Sequence, residues 1–182
     1  MDMFEHRRRR EQAREAPLAA RMRPVTFDEF VGQPHLVGPD RILRKAIDAD
    51  EAPSLILWGP PGSGKTTLAY LIATVTKSHF EPVSAVTSGV ADQRRIVQQA
   101  RERRRLHSVR TILFVDEIHR FNKAQQDVIL PHVEDGTVTF IGATTENPSF
   151  EVVAPLLSRC RVFTLHPLAD ADVQSIVERA RA

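Results

Sequence analysis

Apolar positions recur in short blocks along most of the chain, separated by stretches in which they keep helical spacing. The blocks predict five strands, over residues 54–58, 80–86, 110–115, 137–141 and 161–165. The third reads Arg-Thr-Ile-Leu-Phe-Val, the near-continuous apolar run of a parallel strand covered on both faces. Helices are predicted between the strands, over residues 68–76, 91–105, 123–133 and 152–157, with a last one over 170–182. In the 91–105 helix Ile96, Val97 and Ala100 face inward and the arginines outward. Ahead of the first strand, residues 39–50 predict a helix whose apolar face is Ile42, Leu43, Ala46 and Ile47, ended by Ala52-Pro53. Further upstream, Thr26 and Glu29 have the spacing of a capping box over one helical turn. This alternation of strand and helix predicts an α/β fold in three layers, a five-stranded parallel sheet with helices on both faces. Ligands of such sheets sit at the carboxyl ends of the strands.

Composition narrows the class. At 182 residues, 42% of them hydrophobic, the chain is long enough for one domain with a sizeable core. No stretch approaches the roughly 18 apolar residues of a membrane span, and the arginine-rich start lacks an apolar signal segment. A cytoplasmic protein with no membrane partner is expected. The single cysteine, Cys160, has no internal disulfide partner, and the seven histidines form no Cys/His cluster. A net charge of +2 is no polycation, yet arginine outnumbers lysine 21 to 4, with runs at 7–10 and 101–105. Residues 1–16 read as a charged leader, either a solvated face or an arm whose four consecutive arginines neutralise phosphates. Met1-Asp2-Met3-Phe4 also resembles the short hydrophobic motif that docks on sliding clamps, without its usual leading Gln.

Candidate chemistry is concentrated in two places. Gly59-Pro60-Pro61-Gly62-Ser63-Gly64-Lys65-Thr66 matches the phosphate-loop pattern G-x-x-x-x-G-K-[ST] at every fixed position, between a predicted strand and a predicted helix. Glycines let such a loop curl until successive N–H groups point at a phosphate, and the following helix presents its positive end to the same anion. Lys65 then reaches the β and γ phosphates, Thr66 offers a hydroxyl to Mg²⁺, and Thr67 continues the nucleotide-contacting run. The second place is Asp116-Glu117, at the end of the third strand. Asp116 suits a water-mediated hold on Mg²⁺, and Glu117 can polarise a water for in-line attack on the γ phosphate. A base for water points to hydrolysis rather than transfer to a small molecule; the competing reading is that two acids merely close a strand.

Taken together, the phosphate loop (Walker A), Ile112-Leu113-Phe114-Val115-Asp116-Glu117 (Walker B), Gly142-Ala143-Thr144-Thr145 and Leu157-Ser158-Arg159-Cys160 resemble a P-loop NTPase core of the AAA+ class, in its clamp-loader group. Within that group, residues 17–33, Asp116-Glu117-Ile118-His119-Arg120-Phe121-Asn122-Lys123, Gln125-Gln126-Asp127 and residues 140–150 resemble the replication-associated recombination protein A family, whose eukaryotic relatives are the Werner-helicase-interacting ATPases. The match covers nearly the whole chain from Pro17 onward.

The resemblance implies ATP and Mg²⁺ as cofactors and assigns further roles. Val31 and Gly32 fall where such ATPases contact adenine through the backbone. Thr144 corresponds to the sensor 1 residue, with Thr145 as the alternative. Arg159 stands in the position of an arginine finger acting on a neighbouring subunit, or else makes an ordinary ion pair. Ser84 stands where relatives place a polar switch that restrains the catalytic Glu. His119 and Arg120 either couple DNA or a neighbour to the ATP site or pack at an edge. The implied divisions are an ATPase core over 17–168 and the start of a helical lid over 169–182. Arg179 and Arg181 match no sensor 2 motif, so a truncated lid is expected. Implied partners are single-stranded, gapped or forked DNA without sequence preference, further copies of the chain, and a single-strand-binding protein or sliding clamp. The expected function is an ATP-hydrolysing core of a replication and recombination maintenance factor, cytoplasmic and nucleoid-associated. Its rivals are a nucleotide-binding module without turnover of its own, and a clamp-loader or Holliday-junction motor subunit.

Overall fold

Side chains along a strand alternate between the two faces of a sheet, and in this chain both faces are apolar. The computed structural model describes residues 16–182; residues 1–15, with the arginine run at 7–10 and Met1-Asp2-Met3-Phe4, lie outside the described residues. Five strands, β1 (Leu55–Trp58), β2 (His79–Ser84), β3 (Thr111–Asp116), β4 (Thr139–Thr144) and β5 (Arg161–Thr164), form one sheet in the order β2-β3-β4-β1-β5. Every neighbouring pair is parallel. Around the sheet lie α1 (Leu18–Arg21), α2 (Pro34–Val37), α3 (Ile42–Asp48), α4 (Lys65–Val75), α5 (Val90–His107), α6 (Lys123–Glu134), α7 (Pro148–Glu151), α8 (Ala154–Arg159) and α9 (Asp170–Arg181). Two single 3₁₀ turns, Phe27–Glu29 and Ile118–Arg120, complete the described elements.

The alternation divides the core into two. Leu55, Leu57, Ile112, Phe114, Ile141 and Ala143 meet Leu68, Leu71 and Ile72 of α4 and Leu43 and Ile47 of α3 on one side. Ile56, Leu113, Val115 and Phe140 meet Ile96 and Ala100 of α5, Ile129 of α6 and Leu156 of α8 on the other. Each of the larger side chains contributes about 1.5–3 kcal/mol by leaving water, so the two layers fix the sheet from both faces. This is the expected three-layer α/β arrangement. Register then sets the functional edge: Trp58 of β1 lies opposite Thr144 of β4, and Ser84 of β2 opposite Asp116 of β3, so the carboxyl ends of the strands lie side by side.

Several boundaries differ from the expected ones. The helix expected over 39–50 spans Ile42–Asp48, and Ile42 is exposed, leaving Leu43 and Ile47 as the buried stripe. Thr26 makes no side-chain cap; the Glu29 carboxylate instead accepts from Val25 N at 3.0 Å, one residue upstream. β2 stops at Ser84 because the Ser84 hydroxyl accepts from Val86 N and Thr87 N at 3.3 and 3.2 Å, turning the chain. β4 begins later than expected and continues through Gly142 to Thr144; a Cβ at Gly142 would lie 3.1 Å from the Phe140 ring, so packing favours a residue of low strand propensity there. α4 starts at Lys65, inside the phosphate loop, rather than at Leu68. α6 begins where Asn122 accepts from Gln125 N and Gln125 Oε1 accepts from Asn122 N, both at 2.8 Å, a reciprocal cap.

Candidate nucleotide-binding site

The phosphate loop runs from the end of β1 into α4 and is held by its neighbours. Gly59 N donates to Thr144 O at 3.1 Å, tying the loop to the end of β4. A Cβ at Gly59 would lie 2.7 Å from Leu165 O, so only glycine fits there. Gly64, at φ +98°, takes the left-handed turn that starts α4. Ser63 Oγ donates to Pro60 O at 2.8 Å, and Lys65 Nζ donates to Gly59 O and Pro60 O, each at 2.8 Å. Burial lowers the Lys65 pKa from its ordinary value, opposed by the nearby Asp116 carboxylate.

Lys65, Thr66 and Thr67 of α4, Asp116 and Glu117 from the end of β3, and Thr144 and Thr145 from the end of β4 line one cavity of about 330 Å³ with Pro61, Gly62 and Gly64. Residues up to 84 positions apart in sequence thus converge because three parallel strands end together. Glu117 sits in the left-handed region at φ 51°, a strained setting for a non-glycine residue. Its amide donates to Asp116 Oδ1 at 2.9 Å, and Arg120 Nε approaches its Oε2 at 3.4 Å. Ser84, expected to restrain Glu117, accepts at its hydroxyl from the amides of its own turn and keeps its proton to donate; Arg120 is the cation beside the carboxylate.

Thr144 is 1% exposed, and its hydroxyl accepts from Glu146 N at 2.9 Å. His119, in the 3₁₀ turn after Glu117, brings Nδ1 to 3.2 Å from the same oxygen. Phe121 is buried in the core, so the run after Asp116-Glu117 is split between site and core. Arg159 lines neither this cavity nor the next: it is half-exposed on α8, 3.4 Å from Glu134 Oε1. Cys160 beside it is pushed up to about 12 by burial, which leaves the thiol protonated at neutral pH.

A second cavity, about 460 Å³, adjoins the first through the shared residues Gly62, Gly64 and Thr67. Val31 lines it with Phe30, Met22, Leu168, Ile176 and Arg179. Gly32 is not in its wall; at φ +84°, it lies where a Cβ would come within 2.6 Å of Leu168 Cδ2, so it allows Leu168 to close down. Arg179 of α9 donates to Glu29 O at 2.7 Å and Met22 O at 3.1 Å, pinning the last helix to the segment that precedes α2. Gln33, only 3% exposed, donates from Nε2 to Ser63 O and His166 O at 3.0 and 2.7 Å and accepts from His166 N at 2.9 Å. It joins the Val31-Gly32 segment, the phosphate loop and the chain beyond β5. Sequence reading missed Gln33, Leu168, the contacts of Arg179 and the approach of His119 to Thr144. Only His119 carried a signal, its place directly after Asp116-Glu117-Ile118.

The fit of a nucleotide is chemical as well as spatial. One cavity is largely apolar, as a base requires; the adjoining one gathers a lysine, three threonine hydroxyls of α4 and β4 and two carboxylates around a helix N-terminus. Among the described residues no group of three or more His, Cys, Asp or Glu could hold a metal, and Thr66 and Asp116 both line the phosphate-loop cavity. No helix among the described residues is long and apolar enough to cross a membrane.

Comparison with known proteins gives the same picture. The chain is 55% identical over 164 residues to replication-associated recombination protein A of Escherichia coli K12, covering 90% of this chain and 36% of that one. It is 57% identical over 166 residues to the protein of the same name from Coxiella burnetii, covering 91% and 37%. The chain therefore spans little more than a third of the length of these curated relatives. Among solved structures, the Thermotoga maritima RuvB Holliday junction branch migration motor superposes with a TM-score of 0.71 at 32% identity, over 87% of this chain and 53% of that one. A family model described as "ATPase family associated with various cellular activities (AAA)" matches residues 55–168, from the first residue of β1 to Leu168 in the second cavity, and the chain belongs to that family.

Proposed function

We propose that the chain binds ATP with Mg²⁺ across the two cavities and hydrolyses it, as the ATPase core of a factor that maintains replicating DNA. The observation that carries this reading is the convergence of Lys65, Thr66, Asp116, Glu117 and Thr144 on one cavity beside a second, apolar one. The Thr66 hydroxyl, and Asp116 through a water, would hold Mg²⁺, which would supply charge neutralisation for the phosphates. Lys65 exchanges the carbonyls of Gly59 and Pro60 for phosphate oxygens when nucleotide binds. Glu117 takes the proton of the attacking water, which requires its carboxylate to be available beyond the exposed Arg120 contact. Val31 contacts the base by its backbone while Gly32 shapes the wall through Leu168. Arg159, turned away from both cavities of its own chain, serves the site of a neighbouring copy after releasing Glu134.

The biological setting is inferred from the relatives' names: replication-associated recombination for the two bacterial proteins, and Holliday junction branch migration for the structural neighbour. The substrate reading is therefore gapped or forked DNA, held through its backbone and shape, by an assembly of several copies in the cytoplasm at the nucleoid. A single-strand-binding protein or sliding clamp is the accompanying partner. A second reading, a nucleotide-dependent module without turnover, draws on the placement of Arg159 outside its own site. Steady-state ATP hydrolysis with and without forked or gapped DNA separates the two. DNA-stimulated, Mg²⁺-dependent turnover is expected; binding of a fluorescent ATP analogue without any turnover would leave the module reading standing instead.

A further inference from the structure

The Thr144 hydroxyl has one proton to give and two lone pairs to fill, and its surroundings decide which way the proton points. Glu146 N fills one lone pair at 2.9 Å. Glu146 O lies at 3.3 Å, a long contact for a hydroxyl donor. His119 Nδ1 lies at 3.2 Å and can play either part. A bare Nδ1 would accept the hydroxyl proton and draw it away from the phosphate cavity that Thr144 lines. An Nδ1–H donates into the second lone pair instead. Counting bonds favours the latter: Thr144 Oγ1 then accepts twice and keeps its proton, with the long contact to Glu146 O as its resting acceptor and a phosphate or water in the cavity as the stronger one, whereas a bare Nδ1 takes that proton and leaves one acceptor site of a buried hydroxyl unused.

We propose that His119 is a positioning residue: its Nδ1–H donates to Thr144 Oγ1 and so leaves the hydroxyl proton to point into the cavity, toward the γ phosphate or the attacking water. The fold supports the arrangement. His119 follows Ile118, which is fully buried, in the 3₁₀ turn that leaves β3, and β3 and β4 are paired neighbours. The turn therefore holds the ring against the end of β4 without help from a ligand. His119 touches no substrate in this scheme; it acts by fixing the polarity of Thr144.

The inference rests on the ATPase reading, so its test includes a readout that needs no turnover. Long-range ¹H–¹⁵N correlation spectra of the nucleotide-free chain, at a pH of about 8 where an ordinary imidazole is neutral, report which ring nitrogen carries the proton. His119 is expected as the Nδ1–H tautomer, shifting toward the Nε2–H form in Thr144→Ala. A wild-type Nε2–H tautomer overturns the proposal, whatever the ATPase assay shows. In turnover, His119→Ala should lower kcat about tenfold with little change in affinity for a fluorescent ATP analogue. His119→Asn, whose amide can place a donor near the Nδ1 position, should recover most of the loss. Equal losses in Ala and Asn variants, or a loss expressed only in affinity, would also overturn it. An inactive wild-type chain would count against hydrolysis alone and leave the tautomer result to decide this inference.

Discussion

Removing the Gln33 side chain tests the account at a point far in sequence from any catalytic motif. Its amide makes three hydrogen bonds, to Ser63 O, to His166 O and from His166 N. In Gln33→Ala all three are lost from a site that is 3% exposed. At about 1 kcal/mol net for each bond the fold loses about 3 kcal/mol, which for a domain of this size corresponds to about 6–12 °C in Tm. The left-handed backbone at Gln33 is equally unfavourable for alanine, so relief of strain does not offset the loss. The bond to Ser63 also positions the phosphate loop; its loss alone, about 1 kcal/mol, amounts to about fivefold in nucleotide affinity. Gln33→Glu sharpens the test. Its carboxylate still accepts from His166 N but faces the carbonyls of Ser63 and His166, so it should be no more stable than the alanine variant at neutral pH. Thermal unfolding followed by circular dichroism, with titration of a fluorescent ATP analogue, measures both effects. A fall of less than about 2 °C with unchanged affinity would refute the coupling drawn here between loop, Val31-Gly32 segment and the end of β5.

Lys65→Ala should abolish or greatly weaken nucleotide binding, measured by the same titration, because the site's central cation is gone. Arg159→Ala should reduce turnover only at concentrations where copies associate; an identical reduction in a dilute monomer would show that the residue acts within its own chain. His132 titrates below the usual 6.5 because burial, then Arg101, disfavour its charged form, with Asp135 opposing. The unfolded chain then takes up this proton at a pH where the folded chain still refuses it, so the contribution is present above the unfolded pKa and is lost as pH falls through about 6.5 and below. His132→Gln should flatten that part of the stability–pH curve, read by denaturant midpoints between about pH 5 and pH 8.

The parts of the site that were legible in the sequence are those encoded locally. A phosphate loop needs its glycines, lysine and threonine within one turn of chain, and the Asp-Glu pair is preceded by an apolar run too regular to miss. The rest arises from contacts between distant residues. Gln33 meets His166 across 133 positions, Arg179 meets Glu29 across 150, and His119 meets Thr144 across 25, and no periodicity records such pairings. Boundary errors also have local causes: a serine that caps its own turn shortened β2, and a glycine packed against the Phe140 ring concealed the end of β4. Two local contacts near Asp116-Glu117 were also invisible in the sequence: the Ser84 hydroxyl accepts from Val86 N and Thr87 N, and Arg120 lies beside Glu117.

The central claim is that the cavity at the strand ends hydrolyses ATP with Glu117 as its base. Its most direct test is ATP binding and ATP turnover measured side by side for the wild-type chain and Glu117→Gln, at a concentration where copies associate. The account predicts turnover in the wild type, and in the variant unimpaired binding with hydrolysis reduced by about a hundredfold or more. Wild-type turnover that persists undiminished in Glu117→Gln would contradict it and send the search for the base to another residue of the cavity.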